Sequence, residues 1–94
     1  VYPRELERLL LTHPAVTAAA IVGRADHTAG ELPVAFVVRA PGQHPDANEL
    51  MTYVNQRVAP YQKLRELHFL EHLPTSVAGK VLKRRLRDQL NQAG

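Results

Sequence analysis

Two short apolar runs, residues 16–22 and 32–38, constrain the fold more than any other feature of this sequence. The first is rich in alanine and β-branched residues and ends at Gly23, and the second is closed by Pro41 and Gly42. Apolar runs of this length between turn-forming residues are typical of buried β-strands. We therefore predict two strands, the second mostly buried, joined by a loop over residues 24–31 that is too long for a tight hairpin.

Helical periodicity and one further alternating segment account for most of the remaining chain. These elements are a helix over about residues 3–12, a helix capped by Asp46 or Asn48 and ended by Pro60, a strand over residues 65–70, and a last helix carrying Leu82, Leu86 and Leu90. The order is α-β-β-α-β-α. We therefore predict an α+β fold, in which about three helices pack on a small three-stranded sheet.

Length and cysteine content limit the class of protein. The chain has 94 residues and no cysteine, which leaves room for one domain and excludes a disulfide scaffold or a thiolate metal site. Its apolar runs are far shorter than the roughly 18 residues that span a bilayer, so no membrane span is expected. Because no initiator methionine or signal segment precedes Val1, we expect a fragment of a longer polypeptide, located in the cytoplasm.

The positive charge of the chain is concentrated at its C-terminal end. Net charge is +3, and the last fifteen residues hold five cations against Asp88 alone, which makes this tail +4 and the remainder −1. Such a tail is either a solvated helix face or a surface for an anionic partner, which leaves open a basic module that binds nucleic acid or an acidic protein. With two phenylalanines and three tyrosines, the chain offers little stacking surface, so nucleic acid is the less favoured partner.

The segment from Pro74 to Lys80 is the most informative part of the sequence. Gly79 can adopt positive φ at little cost, and Lys80 is expected at the entrance to the last helix. A cation is unfavourable there because a helix N-terminus carries partial positive charge, and such broken local rules often mark functional sites. The alternative is an ordinary surface lysine. A phosphate-binding P-loop is excluded, because Val81 stands where that motif needs serine or threonine.

Other candidate sites in the sequence are weaker. His68 and His72 have the spacing of metal ligands on a helix, but they straddle the end of a predicted strand, so no metal site is expected. Ser76 lacks the Gly-x-Ser-x-Gly context of a catalytic serine.

Five motifs, in order along nearly the whole chain, carry a family resemblance. They are Tyr2-Pro3-Arg4-Glu5-Leu6-Glu7, His13-Pro14-Ala15-Val16, Asp26 with Gly30-Glu31, Pro60-Tyr61, and Pro74 through Gly79-Lys80. Together they resemble the C-terminal domain of adenylate-forming enzymes, which include acyl- and aryl-CoA synthetases, firefly-type luciferases and adenylation domains of nonribosomal peptide synthetases. Within this superfamily the chain most resembles coumarate-type CoA ligases.

The resemblance implies a mobile lid domain, residues 1–94, that works with the N-terminal adenylation core of the same polypeptide. It assigns Lys80, held in a loop with Pro74 and Gly79, to the adenylation of a carboxylic acid by ATP and Mg²⁺. The lid then rotates for thioester formation with CoA. The runner-up is a lid that serves transfer to a carrier-protein pantetheine. The fragment alone is expected to bind no cofactor and to be inactive.

Tyr61, Lys63 and Arg65 form a second candidate site. In an extended segment, residues two apart point to the same face, so one ring and two cations would form a stripe. The alternative is a tyrosine packed on the second helix beside two solvated charges. The resemblance favours a site for the nucleotide of CoA, because aryl-CoA ligases place an aromatic residue and basic residues at the matching positions.

Overall fold

The computed structural model of the chain describes residues 3–28 and 30–93. Tyr2, which opens the first motif, lies outside the described residues. The elements are α1 (Pro3–Leu11), β1 (Val16–Asp26), β2 (Gly30–Arg39), α2 (Ala47–Asn55), a 3₁₀ turn (Pro60–Gln62), β3 (Glu66–Phe69) and α3 (Lys83–Ala93). Their order confirms the predicted α+β class and the order α-β-β-α-β-α.

The three strands form one sheet in the order β1-β2-β3. β1 and β2 are antiparallel, whereas β2 and β3 are parallel and are joined through α2. Asp46 is the residue that caps α2, since its carboxylate accepts a hydrogen bond from Glu49 N–H at 2.7 Å. A parallel pair requires a crossover, and α2 provides it.

Both faces of the sheet are buried under helices. On one face, the apolar side chains of α1 and α2 pack on one set of strand residues: Leu6, Leu10, Leu50 and Val54 on Ile21, Ala35 and Val37. On the other face, α3 packs on the alternate set: Leu86 and Leu90 on Ala20, Val22, Val34 and Phe36. Burial on both faces explains why the strands are continuous apolar runs rather than alternating ones.

The connection between β1 and β2 is much shorter than the predicted loop over residues 24–31. The two strands pair as far as Asp26 with Gly30, so the prediction of a long loop is wrong. The polar ends of a hairpin look like loop sequence, yet Arg24 pairs opposite Leu32 within the ladder. Gly30 has φ 81°, a conformation that glycine adopts readily, and this lets the chain enter β2 directly from the turn.

The start of α3 also differs from the prediction. The helix begins at Lys83, so Leu82 precedes it and Lys80 does not stand at a helix entrance. Val81 instead pairs with Thr75, and Leu82 N–H donates to the Pro74 carbonyl at 2.8 Å. These backbone groups close a hairpin, which is why the helix starts later than the leucine spacing indicates.

Two ion pairs tie separate elements together. Glu7 on α1 accepts a hydrogen bond from Ile21 N–H of β1 at 2.7 Å and also contacts the Lys83 ammonium of α3 at 2.7 Å. Arg24 on β1 donates two hydrogen bonds, at 2.9 and 2.7 Å, to the Glu66 carboxylate on β3. The Arg24 guanidinium, with a smaller contribution from His68, holds the pKa of Glu66 below its usual range.

We predict that Leu86→Ala lowers the free energy of unfolding by about 2–5 kcal/mol, because Leu86 is fully buried between α3 and the sheet and its loss leaves a cavity. Urea denaturation of the 94-residue chain would measure this. Leu11→Ala is the matched control, because half of the Leu11 side chain is exposed, and it should cost much less. Equal losses for the two variants would contradict the proposed packing of α3.

We predict that the stabilising effect of Glu66 depends on pH. Because its pKa is lowered in the folded state, its contribution is fully present above the unfolded-state pKa of about 4.3 and is lost as pH falls through the lower folded value. The melting temperature of Glu66→Gln should therefore lie below that of the wild type near pH 6, and the gap should shrink at more acid pH. A constant gap would contradict this. Glu71→Gln, at an exposed position, serves as the control.

Candidate functional site

Lys80 lies at the end of a tight hairpin turn between β3 and α3. Thr75 and Val81 form an isolated antiparallel bridge at its base, next to the hydrogen bond from Leu82 to Pro74. Inside this bridge, Ser76 N–H donates to the Lys80 carbonyl at 2.8 Å. Pro74 therefore contributes its carbonyl oxygen to the base of the hairpin, and a ladder of backbone hydrogen bonds fixes the position of Lys80.

The turn itself is closed by Gly79 and by the Ser76 side chain. Gly79 N–H donates to the Ser76 carbonyl at 2.9 Å, and Gly79 has φ 86°. A Cβ atom at Gly79 would meet nothing within 4 Å, so the backbone conformation rather than lack of space favours glycine here. Lys80 N–H donates to Ser76 Oγ at 3.2 Å, so both backbone polar groups of the lysine are bonded to Ser76.

The Lys80 side chain is exposed and forms no ion pair with any residue in 3–28 or 30–93. Lys83, three residues later, is by contrast bound to Glu7. The backbone of Lys80 is thus fixed while its ammonium group is free to meet an anion from outside the chain. The fixed backbone of the turn together with the unpaired ammonium, rather than the expected clash with a helix dipole, makes Lys80 a candidate for contact with an external anion.

The second candidate site is only partly extended. Tyr61 lies in the 3₁₀ turn Pro60–Gln62, where Gln62 N–H donates to the Ala59 carbonyl at 2.9 Å, so the predicted extended stripe of three residues is wrong at Tyr61. Proline at the first position favours such a turn. The alternative of a packed tyrosine is also wrong, since the Tyr61 side chain is 74% exposed.

Lys63 and Arg65 flank a residue that is firmly anchored. Leu64 is buried in the core beneath α1 and α2, and its backbone is held at both ends by Asn55: Asn55 Nδ2 donates to Leu64 O at 2.8 Å, and Leu64 N–H donates to Asn55 Oδ1 at 2.7 Å. Lys63 and Arg65 are both exposed. The clamp on Leu64 therefore presents two cations to solvent beside an exposed ring.

The two candidate sites are anchored on opposite faces of the sheet. Leu64 belongs to the core beneath α1 and α2. Leu73 and Val81, which bracket the Lys80 hairpin, belong to the core beneath α3. Lys80 and the segment from Tyr61 to Arg65 are therefore held in place by two different hydrophobic cores.

His68 and Ser76 are the weaker candidates from the sequence. His68 bonds to Glu66 and stacks on Phe36, and no group of three His, Asp or Glu side chains among the described residues could hold a metal ion. No helix in the described part of the chain is long and apolar enough to cross a membrane.

Sequence reasoning dismissed Ser76 as a nucleophile and missed its contact with Lys80. The tendency of serine to bond to nearby backbone in turns was the available signal.

Comparison with known proteins identifies the family. The sequence pattern of the AMP-binding enzyme C-terminal domain matches residues 5–80. The chain belongs to this family. A protein named 4-coumarate–CoA ligase-like 9 from Oryza sativa subsp. japonica is 49% identical over 95% of the chain and 16% of its own length. The 4-coumarate–CoA ligase 4 of Arabidopsis thaliana is 41% identical over 96% of the chain and 16% of its own length.

Solved structures of larger proteins contain a similar domain. The amide bond synthetase McbA from Marinactinospora thermotolerans matches with a TM-score of 0.88 and 37% identity over 95% of the chain and 18% of its own. A Mycobacterium tuberculosis fatty acyl CoA synthetase matches with a TM-score of 0.87 and 30% identity over 98% of the chain and 18% of its own. The chain thus spans about one-sixth of the length of such relatives.

Proposed function

We propose that this domain is the mobile lid of an ATP-dependent acyl- or aryl-CoA ligase, and that Lys80 supplies a cation for carboxylate adenylation. The observation that supports this most directly is the unpaired, exposed ammonium of Lys80 on a hairpin whose backbone is fixed. The likeness to 4-coumarate–CoA ligases supports the reaction class. The remaining residues of such an enzyme form the N-terminal core with which the lid would work.

The chemistry explains why a lysine suits this position. When a carboxylate attacks the α-phosphorus of ATP, two anions must approach each other. A compact cation that bridges them lowers their repulsion as charge shifts from the carboxylate to the departing pyrophosphate. ATP and Mg²⁺ are proposed as ligands of the full-length enzyme and not of this domain alone.

Rotation of the lid would account for the second candidate site. The apolar residues next to Lys80 and those next to Lys63 and Arg65 belong to cores on opposite faces of the sheet. A rigid lid could therefore present Lys80 during adenylation and the other segment afterwards, which is hinge-type domain alternation. The exposed Tyr61 ring could stack on adenine, and the two cations could contact the phosphates of CoA.

CoA is the proposed acyl acceptor. Two exposed cations beside an exposed ring suit a phosphorylated nucleotide such as CoA. A carrier-protein pantetheine is the alternative acceptor, and the likeness to an amide bond synthetase shows that relatives of this domain serve more than one kind of enzyme. That the substrate is a carboxylic acid and that the enzyme is located in the cytoplasm both stay predictions.

We predict that Lys80→Ala in the full-length enzyme lowers acyl-adenylate formation about 100- to 1,000-fold, because a cation that acts in the transition state is lost. ATP–pyrophosphate exchange measures this step. Thioester formation from supplied acyl-adenylate should be nearly unchanged. Arg84→Ala, which removes an exposed cation four residues away, is the matched control and should retain exchange activity. Normal exchange by Lys80→Ala would rule out the role assigned to Lys80.

We predict that Lys63→Ala combined with Arg65→Ala in the full-length enzyme raises the KM for CoA about tenfold, through the loss of two charge-assisted phosphate contacts. Adenylation, measured by ATP–pyrophosphate exchange, should stay nearly normal. An unaltered KM for CoA would assign these cations to the solvated surface. Equal damage to both half-reactions would instead indicate a structural role.

A further inference from the structure

Ser76, which lies within the motif from Pro74 to Lys80, makes three hydrogen bonds to the Gly79-Lys80 end of that motif. Its N–H donates to the Lys80 carbonyl at 2.8 Å, its carbonyl accepts from Gly79 N–H at 2.9 Å, and its Oγ accepts from Lys80 N–H at 3.2 Å. The first two involve only backbone atoms, which any residue could provide. The third requires a side chain with an acceptor at this position.

We propose that Ser76 is a positioning residue for Lys80, whose hydroxyl orients the lysine backbone so that the ammonium is aimed before the lid closes. This inference rests on the proposed role of Lys80. The backbone holds the Lys80 carbonyl, but Lys80 N–H depends on the Ser76 hydroxyl, because Val77 and Ala78 carry no side-chain acceptor and Gly79 has no side chain.

Loss of the hydroxyl would change the lysine rather than the fold. Ser76→Ala keeps both backbone hydrogen bonds and the bridge between Thr75 and Val81, so the hairpin should still form. Lys80 N–H would lose its partner, and the turn would sample more orientations of the lysine. A smaller fraction of closed lids would then place the ammonium between the reacting anions.

Activity measurements on the full-length enzyme test this role. Ser76→Ala should lower the kcat of acyl-adenylate formation about 3- to 10-fold, the typical effect of losing one hydrogen bond. The KM for ATP and thioester formation from supplied acyl-adenylate should change little. Ser76→Thr keeps the hydroxyl and should restore adenylation to within about twofold of the wild type. Thr75→Ala, which removes a neighbouring hydroxyl without a described hydrogen bond, is the matched control and should behave like the wild type.

The double variant Lys80→Ala with Ser76→Ala separates positioning from a structural role. If Ser76 acts through the Lys80 ammonium, its substitution should cost nothing further once that ammonium is gone. An additive loss in the double variant, or equal loss of both half-reactions in Ser76→Ala, would overturn the proposal. So would unchanged adenylation by Ser76→Ala beside a crippled Lys80→Ala, which would leave the role of Lys80 intact. Full exchange activity of Lys80→Ala alone would overturn both roles.

Discussion

Burial of both faces of the β1–β2 hairpin is the constraint on which the rest of this domain depends. Ile21 and Val22 are neighbours in sequence and each is 1% exposed, and successive strand residues point to opposite faces. The sheet therefore needs helices on both sides, and α1 and α2 already cover one of them. The chain must cross to the other side after β3, and the segment that crosses contains Lys80. The location of Lys80 thus follows from the need for α3 to bury the second face of the sheet.

Glu7 links α1 with β1 and with α3. β1 is at the edge of the sheet, and the Ile21 N–H on this strand is satisfied by the Glu7 carboxylate instead of by another strand. The same carboxylate binds Lys83 at the first residue of α3. Because Leu73 is buried before the Lys80 hairpin and Lys83 is tied after it, the hairpin is held at both ends. Its rigidity relative to the sheet is therefore a property of the whole fold.

The sequence predicted the elements better than their ends. Buried runs showed both long strands, but Arg24 and Glu31 resemble loop residues, because the end of a hairpin can be polar while still paired. Leu82 has the helical spacing of Leu86 and Leu90, yet its backbone N–H bonds to the Pro74 carbonyl beside the bridge of Thr75 with Val81. Hydrophobic periodicity indicates which side chains are buried, but it does not indicate which backbone groups form hydrogen bonds.

At the candidate site, too, the sequence indicated which residue matters but not which hydrogen bonds hold it. Lys80 was found by its motif, but the contact between its N–H and Ser76 Oγ depends on the path of a turn, which spacing alone does not define. Asn55 was missed for a similar reason. It lies on a helix, and its two bonds to Leu64 close only when the following segment folds back against α2.

In the hairpin that carries Lys80, the path of the backbone and the exposed surface depend on different residues. Its path is fixed by backbone hydrogen bonds and by Ser76, whereas the side chains of Val77 and Ala78 at its tip are exposed to solvent. Residues at these two positions are thus free to diverge without disturbing the lysine. The surface that the tip presents can accordingly change in shape and polarity while the backbone of Lys80 keeps its place.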